Sequence, residues 1–524
     1  MRRTPYLINT MALITEFRAS EKEPKGRHHT PIDAGLNSQI GSRDMSATNP
    51  PSKSMGAGIA DSSATAATAD ETSAEDTGRL SPTALVSLSL ASFFPAVSFA
   101  MVPFLVFTTS GTNAWQSSLL ATIGVICIGR AVIAFARRYV ASGSLYSYVG
   151  EVFGPWARHL TAASLLAGFI VGVAALAAVV GVFVGSFLHA RGIHGALNFD
   201  TQVIVFGLAL VLAAAVAIRG LDTSVMVAVT LAVIALPLVL IITVASAAHT
   251  GLDLGTQFSF TGFEVGPVFQ GIAVGAAFLV GFESCAALAT ETKDPKHSVP
   301  TAIMAVPVIL GGLFPIVTIL QVPGLIATSD ELAAGVSAPA ALAQLSGLGH
   351  GVATATDLVL AAASFASLVG FLNYAARFTM TLSEDGLLPS VFSRLHPKHK
   401  SPSAAVLLMT LCAFLTISGM LLWTGDIISA YTPNATLLVY MWVVPYVIIC
   451  VGAIRLSIRL REFRPGLWIA AVAGAATMTW AYTNGLVNPP PAPADSMIWV
   501  APVAIALLFG VVRINVSRTR HIAE

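Results

Sequence analysis

The 524-residue sequence predicts an all-α integral membrane protein that crosses the bilayer twelve times, and three observations carry that expectation. Apolar residues make up 55% of the chain and charged residues only 10%, at a mean hydropathy of +0.77. Soluble domains carry about 25% charged residues, so ionic groups here are too few to cover a soluble globule. Apolar runs close to 20 residues long recur along the chain, and Lys and Arg gather in alternate connections between them. A soluble cytosolic enzyme is excluded on these grounds.

Residues 1–80 come first and read differently from the rest. They are rich in Ser, Thr, Ala, Gly, Asp and Lys without apolar periodicity, and are expected to be a disordered cytoplasmic tail. Nine of the 28 Lys and Arg and ten of the 27 Asp and Glu fall within residues 1–82, so the remainder is poorer still in charge. The stretch from Tyr6 to Phe17 is short and broken by Asn9, Thr10 and Glu16, which makes a poor secretory signal. Met45 and Met55 are further candidate starts.

A helix needs about 20 apolar residues to cross some 30 Å of hydrocarbon. By that measure the domain 81–514 holds spans at 83–108, 114–136, 160–189, 202–218, 223–248, 267–290, 300–325, 353–377, 403–423, 430–453, 466–483 and 496–512. Residues 515–524 form a short tail. With the N-terminus inside, every Lys and Arg falls on the cytoplasmic side or at the cytoplasmic end of a span, except Arg191. Both termini are therefore expected in the cytoplasm of a plasma-membrane protein.

The loops point to an internal repeat. The 137–159 connection between spans 2 and 3 and the 326–352 connection between spans 7 and 8 are both long, five spans apart and on opposite faces. Inverted five-span repeats at 83–248 and 267–453, with two further spans at 466–512, give this pattern. In such folds the first helix of each repeat is interrupted at mid-membrane. Span 1 carries Phe94-Pro95-Ala96-Val97-Ser98, where Pro95 lacks a backbone donor and clashes with the preceding turn. Span 6 carries Gly275 and then Gly281-Phe282-Glu283-Ser284. Pro and Gly are also common in ordinary membrane helices, and Pro237, Pro307, Pro315 and Pro445 are examples in this chain.

An opened helix presents free N–H groups and a positive dipole end to a carboxylate, and freed carbonyls to an ammonium or a cation. A zwitterion satisfies both. Glu283 reads as the one carboxylate deep within a span, and a charge there costs on the order of 3 kcal/mol unless it finds a partner. Three roles stay open for it: taking a proton, binding a substrate amine, or bonding the free N–H groups of the interrupted helix. Ser364 and Ser367, one turn apart on span 8, suit either a sodium ion or close packing. His159, His189 and His249 fall at span ends, which disfavours a histidine relay. No phosphate loop, HExxH or GxSxG stands in a credible context, and no basic patch suggests nucleic acid. Cys127, Cys285, Cys412 and Cys450 lie in apolar runs and read as small hydrophobes, with no metal spacing among them. No cofactor is expected.

Three stretches taken together resemble the amino acid–polyamine–organocation permeases. One runs from Gly281-Phe282-Glu283-Ser284 through Glu291-Thr292-Lys293-Asp294-Pro295 to Val299-Pro300. The second is Ser383-Glu384-Asp385-Gly386-Leu387-Leu388-Pro389, followed by His396-Pro397-Lys398 and Ser401-Pro402. The third is Arg137-Arg138-Tyr139 with Ser142-Gly143-Ser144-Leu145-Tyr146-Ser147-Tyr148 and Phe153-Gly154-Pro155. The resemblance implies a LeuT-like five-plus-five inverted repeat with broken helices 1 and 6, working by alternating access. It places substrate against Phe94, Pro95, Ala96, Val97 and Ser98 and against Phe278, Gly281, Phe282, Glu283 and Ser284. Phe278 or Phe282 would lie over the substrate as a lid, or either ring could simply pack between helices. The chain departs from the family in having Pro95-Ala96-Val97 where many members have Gly-Ser-Gly. It also has no lysine in span 5, leaving Glu283, Ser364 and Ser367 as ion-coupling candidates for a proton or sodium.

The expectation is a secondary-active transporter of an amino acid or related amine, coupled to an ion or working by exchange, and not an enzyme. The alternatives are a carrier of another small solute, such as a nucleobase or organic acid, and a membrane sensor.

Overall fold

Helix dominates because an apolar environment leaves every backbone N–H and C=O to be satisfied within its own segment. The computed structural model describes residues 80–93, 95–141, 143–260 and 263–523, with the side chains of 221–229, 232–233 and 519–523 left aside. The predicted tail over residues 1–79, together with Phe94 and Ser142, lies outside the described residues.

The chain runs through α1 (Pro82–Ser92), α2 (Pro95–Ser110), α3 (Ala114–Ala136), α4 (Leu145–Phe153), α5 (Pro155–Ala190), α6 (Phe199–Arg219) and α7 (Leu221–Thr250). It continues through α8 (Val265–Gly275), a tight 3-10 stretch (Phe282–Glu291), α9 (Pro295–Ala305) and α10 (Gly312–Ala327). The last group is α11 (Ala338–Leu345), α12 (His350–Glu384), α13 (Ser403–Thr424), α14 (Ile427–Arg459), α15 (Pro465–Val487) and α16 (Met497–Ala523). Only two isolated β-bridges occur among the described residues.

Local chemistry sets several helix starts. Ser81 caps α1 by accepting from the Ala84 N–H at 3.2 Å, ahead of a proline whose missing N–H costs nothing there. Asp426 caps α14 through the N–H groups of Ile428 (3.0 Å) and Ser429 (2.9 Å). Gly154, at φ +81°, turns the chain from α4 into α5.

Nine helical stretches among the described residues are long and apolar enough to cross a membrane. The 36-residue α5 is the central column and packs most extensively against α12 and α14. Glycines allow this closeness: a Cβ on Gly168 would sit 2.3 Å from the Trp442 ring, and one on Gly172 2.5 Å from the Phe371 ring. The outer helices invert the pattern of a soluble protein. On α13, Leu407, Leu411 and Leu415 follow one another at helical spacing and are more than half exposed. Such a stripe suits lipid contact.

Polar ties join the ends of the elements. Leu80 donates to the Glu291 carbonyl at 2.9 Å and accepts from the Lys293 N–H at 2.9 Å. Arg377 of α12, largely buried, pairs with Glu291 at 2.6 Å and reaches Asn373 at 3.2 Å. Arg158 of α5 bonds Asp385 at 2.6 Å and the Tyr146 hydroxyl at 3.0 Å. Asn515 of α16 donates to the Gly386 carbonyl at 3.0 Å, beside that ion pair.

Candidate functional site

Two helix ends meet in the interior. α1 stops at Ser92 and α2 begins at Pro95, whose ring cannot continue the ladder of the preceding turn. The Ser98 hydroxyl donates to the Phe93 carbonyl at 2.8 Å, satisfying an acceptor that the interrupted ladder leaves open. Pro95, Ala96, Val97 and Ser98 are all buried. On the other side α8 stops at Gly275, a 3-10 turn follows over Ala276–Phe278, and Gly281 adopts φ +82° before the Phe282–Glu291 stretch. A left-handed residue at that point ends regular helix, and glycine takes it without a Cβ penalty.

Phe371 of α12 links the two interruptions. Its ring packs edge-on against Phe93 with centroids 6.4 Å apart, and it lies 3.5 Å from the Cβ position of Gly281. Phe169 of α5 stacks on both Phe371 (5.5 Å) and Trp442 (5.6 Å). An aromatic wall therefore backs both interruptions. None of these three rings was among the residues expected from the sequence.

Glu283 is 2% exposed and both its oxygens are engaged by α14. The Trp442 Nε1–H donates to Oε1 at 2.8 Å, and the Tyr446 hydroxyl donates to Oε2 at 2.8 Å. The same Tyr446 oxygen accepts from the Gly281 N–H at 2.8 Å. This geometry ties the Phe282–Glu291 stretch to the neighbouring helix α14. The donors come from a different element than the N–H groups expected. The Ser284 hydroxyl, by contrast, is buried and makes no hydrogen bond.

The two lid candidates separate. Phe282 is fully buried and stacks on Tyr446 at 5.7 Å. Phe278 stacks on Tyr431 at 6.5 Å, and Tyr431 lines a cavity together with Met101, Leu105, Val182, Val336 and Ser337. Ser364 donates to the Leu360 carbonyl of its own helix at 2.7 Å. Ser367 reaches both the Ala363 carbonyl (3.0 Å) and the Ala91 carbonyl (3.3 Å) at the end of α1. No cluster of three or more metal-ligating side chains occurs among the described residues.

One expectation is corrected. Glu283 is not the sole carboxylate buried within a span, because Asp357 of α12 is 1% exposed. Its oxygens accept from Ser186 of α5 at 2.7 Å and from Ser337, the cap of α11, at 2.5 Å. Asp357 lies near the predicted start of span 8, and Ser337 at the start of α11, in the preceding loop, covers it.

Nine membrane-length apolar helices among the described residues, packed round a buried polar cluster, define an all-helical, multi-pass membrane protein. The chain belongs to the amino acid permease family, whose model matches residues 79–510. It is 25% identical over 313 residues to the branched-chain amino acid permease BcaP of Bacillus subtilis, covering 57% of this chain and 65% of that protein. The methylthioribose transporter of the same organism is 24% identical over 56% of this chain and 66% of its own length. Cationic amino acid transporter 5 of Arabidopsis thaliana is 25% identical over 62% of this chain and 56% of its own length. The chain thus spans less than two thirds of these curated relatives. Among solved structures, a substrate-bound, outward-open Na+-coupled sialic acid symporter shares the fold, with a TM-score of 0.50 and 14% identity over 79% of this chain and 91% of that one.

Proposed function

We propose that this protein is a secondary-active transporter that carries an amino acid or related amine across the plasma membrane by alternating access. The observation that carries this reading is the pair of interruptions at Ser92–Pro95 and Gly275–Phe282, backed by one aromatic ring, Phe371. Family membership and the names of the permease relatives support it.

The helix lengths are compatible with twelve crossings. The stretch Pro82–Ala136, at 55 residues, would be about 80 Å of helix at 1.5 Å per residue, and so counts as two crossings. The 30-residue α7 and the 23-residue α15 supply the other two beyond the nine. Both termini then face the cytoplasm, and the first ten crossings form a LeuT-like inverted repeat.

Substrate lies between Phe94–Ser98 and Phe278–Ser284. Helix geometry leaves the Ala96 and Val97 N–H groups without an intrahelical acceptor, which suits a carboxylate. The Gly281 N–H is committed to Tyr446, so the unpartnered Ser284 hydroxyl is the polar contact left on the second segment. Phe371, Trp442 and Phe169 offer an apolar surface that favours a neutral, apolar side chain. Phe278 is the lid, facing Tyr431. A proton on Glu283, or a sodium ion at Ser367 and the Ala91 carbonyl, couples transport to a gradient.

Uptake into proteoliposomes across an amino-acid panel, with sodium and pH gradients varied separately, tests the reading. Branched-chain or other apolar amino acids are expected to compete best. Glu283→Gln is expected to remove the pH dependence of uptake while transport down a substrate gradient persists; unchanged pH dependence would take the proton away from Glu283. A second reading, a carrier of another small polar solute, is favoured by the methylthioribose and sialic acid transporters among the similar proteins. It wins if no zwitterion competes with labelled solute.

A further inference from the structure

A buried charge normally sits opposite another charge or a metal, because removing it from water costs several kcal/mol otherwise. Asp357 sits opposite two serines. Ser186 of α5 donates to one oxygen at 2.7 Å, and Ser337 donates to the other at 2.5 Å. The Ser337 N–H in turn donates to the Ser186 oxygen at 2.9 Å, and the Ser337 oxygen caps α11 through the Ala340 N–H at 3.3 Å. The first three bonds close a ring of Asp357, Ser186 and Ser337, and the fourth ties that ring to the start of α11. Three elements meet there: the central column α5, the long helix α12, and the short loop helix α11. Asp357, Ser186 and Ser337 are each at most 4% exposed.

Ser337 of the ring lines the cavity that Tyr431 also lines. Ser337, Val336, Ala338 and Leu332 form its loop-side wall, facing Met101 and Leu105 of α2. Ser337 is the point at which that wall is fastened. Hydrogen bonds to a charged group are roughly twice as strong as neutral ones, and they are lost together if the wall swings away.

We infer that Asp357 is a positioning residue of the transport cycle: it latches the Val336–Ala338 wall over the cavity and sets how often that cavity opens. This rests on the transporter reading, since a latch matters only if the cavity leads to the site. The wall opens when Ser337 leaves Asp357, and the carboxylate, freed of one donor, takes water in its place. Closing reverses the exchange. The helices themselves need not unfold, because Ser186 keeps its bond to Asp357 throughout.

The test reads cavity access without needing a substrate. Val336→Cys is introduced into the full chain, and its rate of modification by a membrane-impermeant maleimide is measured. Native Cys285 and Cys450, both fully buried, serve as reporters of unfolding in the same sample. Ser337→Ala and Asp357→Asn are each expected to speed labelling at position 336 by about tenfold, the loss of roughly one charge-assisted bond. Combining the two should add less than about twofold, because both act on one ring. Cys285 and Cys450 should stay protected. Unchanged labelling in both variants overturns the latch. Faster labelling at 336 accompanied by equal exposure of the native cysteines overturns it too, since that is general loosening. If the latch holds while no solute is taken up by the parent protein, the transporter reading fails and the latch stands.

Discussion

Glu283→Ala is expected to cause the largest loss of stability of any single substitution in the site. It removes the acceptor of both the Trp442 indole and the Tyr446 hydroxyl, two donors on fully buried side chains. Each donor left unsatisfied costs about 1–3 kcal/mol. Tyr446 also accepts from Gly281, so the hydroxyl that anchors the left-handed turn loses the bond that orients it. Glu283→Gln should fall between alanine and the parent. Its carbonyl oxygen keeps one donor, while its amide nitrogen, itself a donor, faces the other. Tyr446→Phe should cost more than the glutamine variant, because it removes one donor to Glu283 and also the acceptor of the Gly281 N–H. Heat-induced loss of the monodisperse peak in detergent would rank them. Equal midpoints for the alanine variant and the parent would show that the carboxylate holds nothing together.

Gly168→Val is the second large effect, and its cause is volume. A Cβ at Gly168 would lie 2.3–3.0 Å from three atoms of the Trp442 ring. The ring cannot retreat, since it is fully buried and Phe169 lies against it. Overfilling a packed core costs about 1–3 kcal/mol, and the shift also draws the indole N–H away from Glu283. The expected result is a lower unfolding midpoint together with strongly reduced uptake. Gly419→Ala on the exposed face of α13 is the matching control. Nothing lies within 4 Å of its Cβ position, so helix propensity alone acts and should stabilise by about 0.5–1 kcal/mol. Opposite signs at the two glycines are the prediction; a shared sign would refute it.

The helical, membrane-embedded character of the chain was readable because its causes are local. Pro95 lacks an N–H wherever it stands, and Gly281 accepts a positive φ because it has no Cβ. Charge depletion and the spacing of apolar runs are likewise properties of a short window. The aromatic wall was not readable. Phe371, Trp442 and Phe169 lie on helices buried nearly all round, where the 3.6-residue period that marks an inward face disappears. Gly168 and Gly172 showed that something approaches α5 closely, yet their spacing cannot name the ring that does. Asp357 failed for a related reason. Its partners Ser186 and Ser337 lie 171 and 20 residues away in the chain, and only the placement of α11 turns an apparent span-edge carboxylate into an interior one. Glu283 was legible as a residue needing partners, and illegible as to which.

The bond from Asn515 to the Gly386 carbonyl makes the final helix a lever. Gly386 follows Asp385 directly, and Asp385 grips Arg158 at the foot of the central column. Any pull applied to the last turns of the chain, by a fused partner or a docked protein, is transmitted through two bonds to the column that carries the aromatic wall.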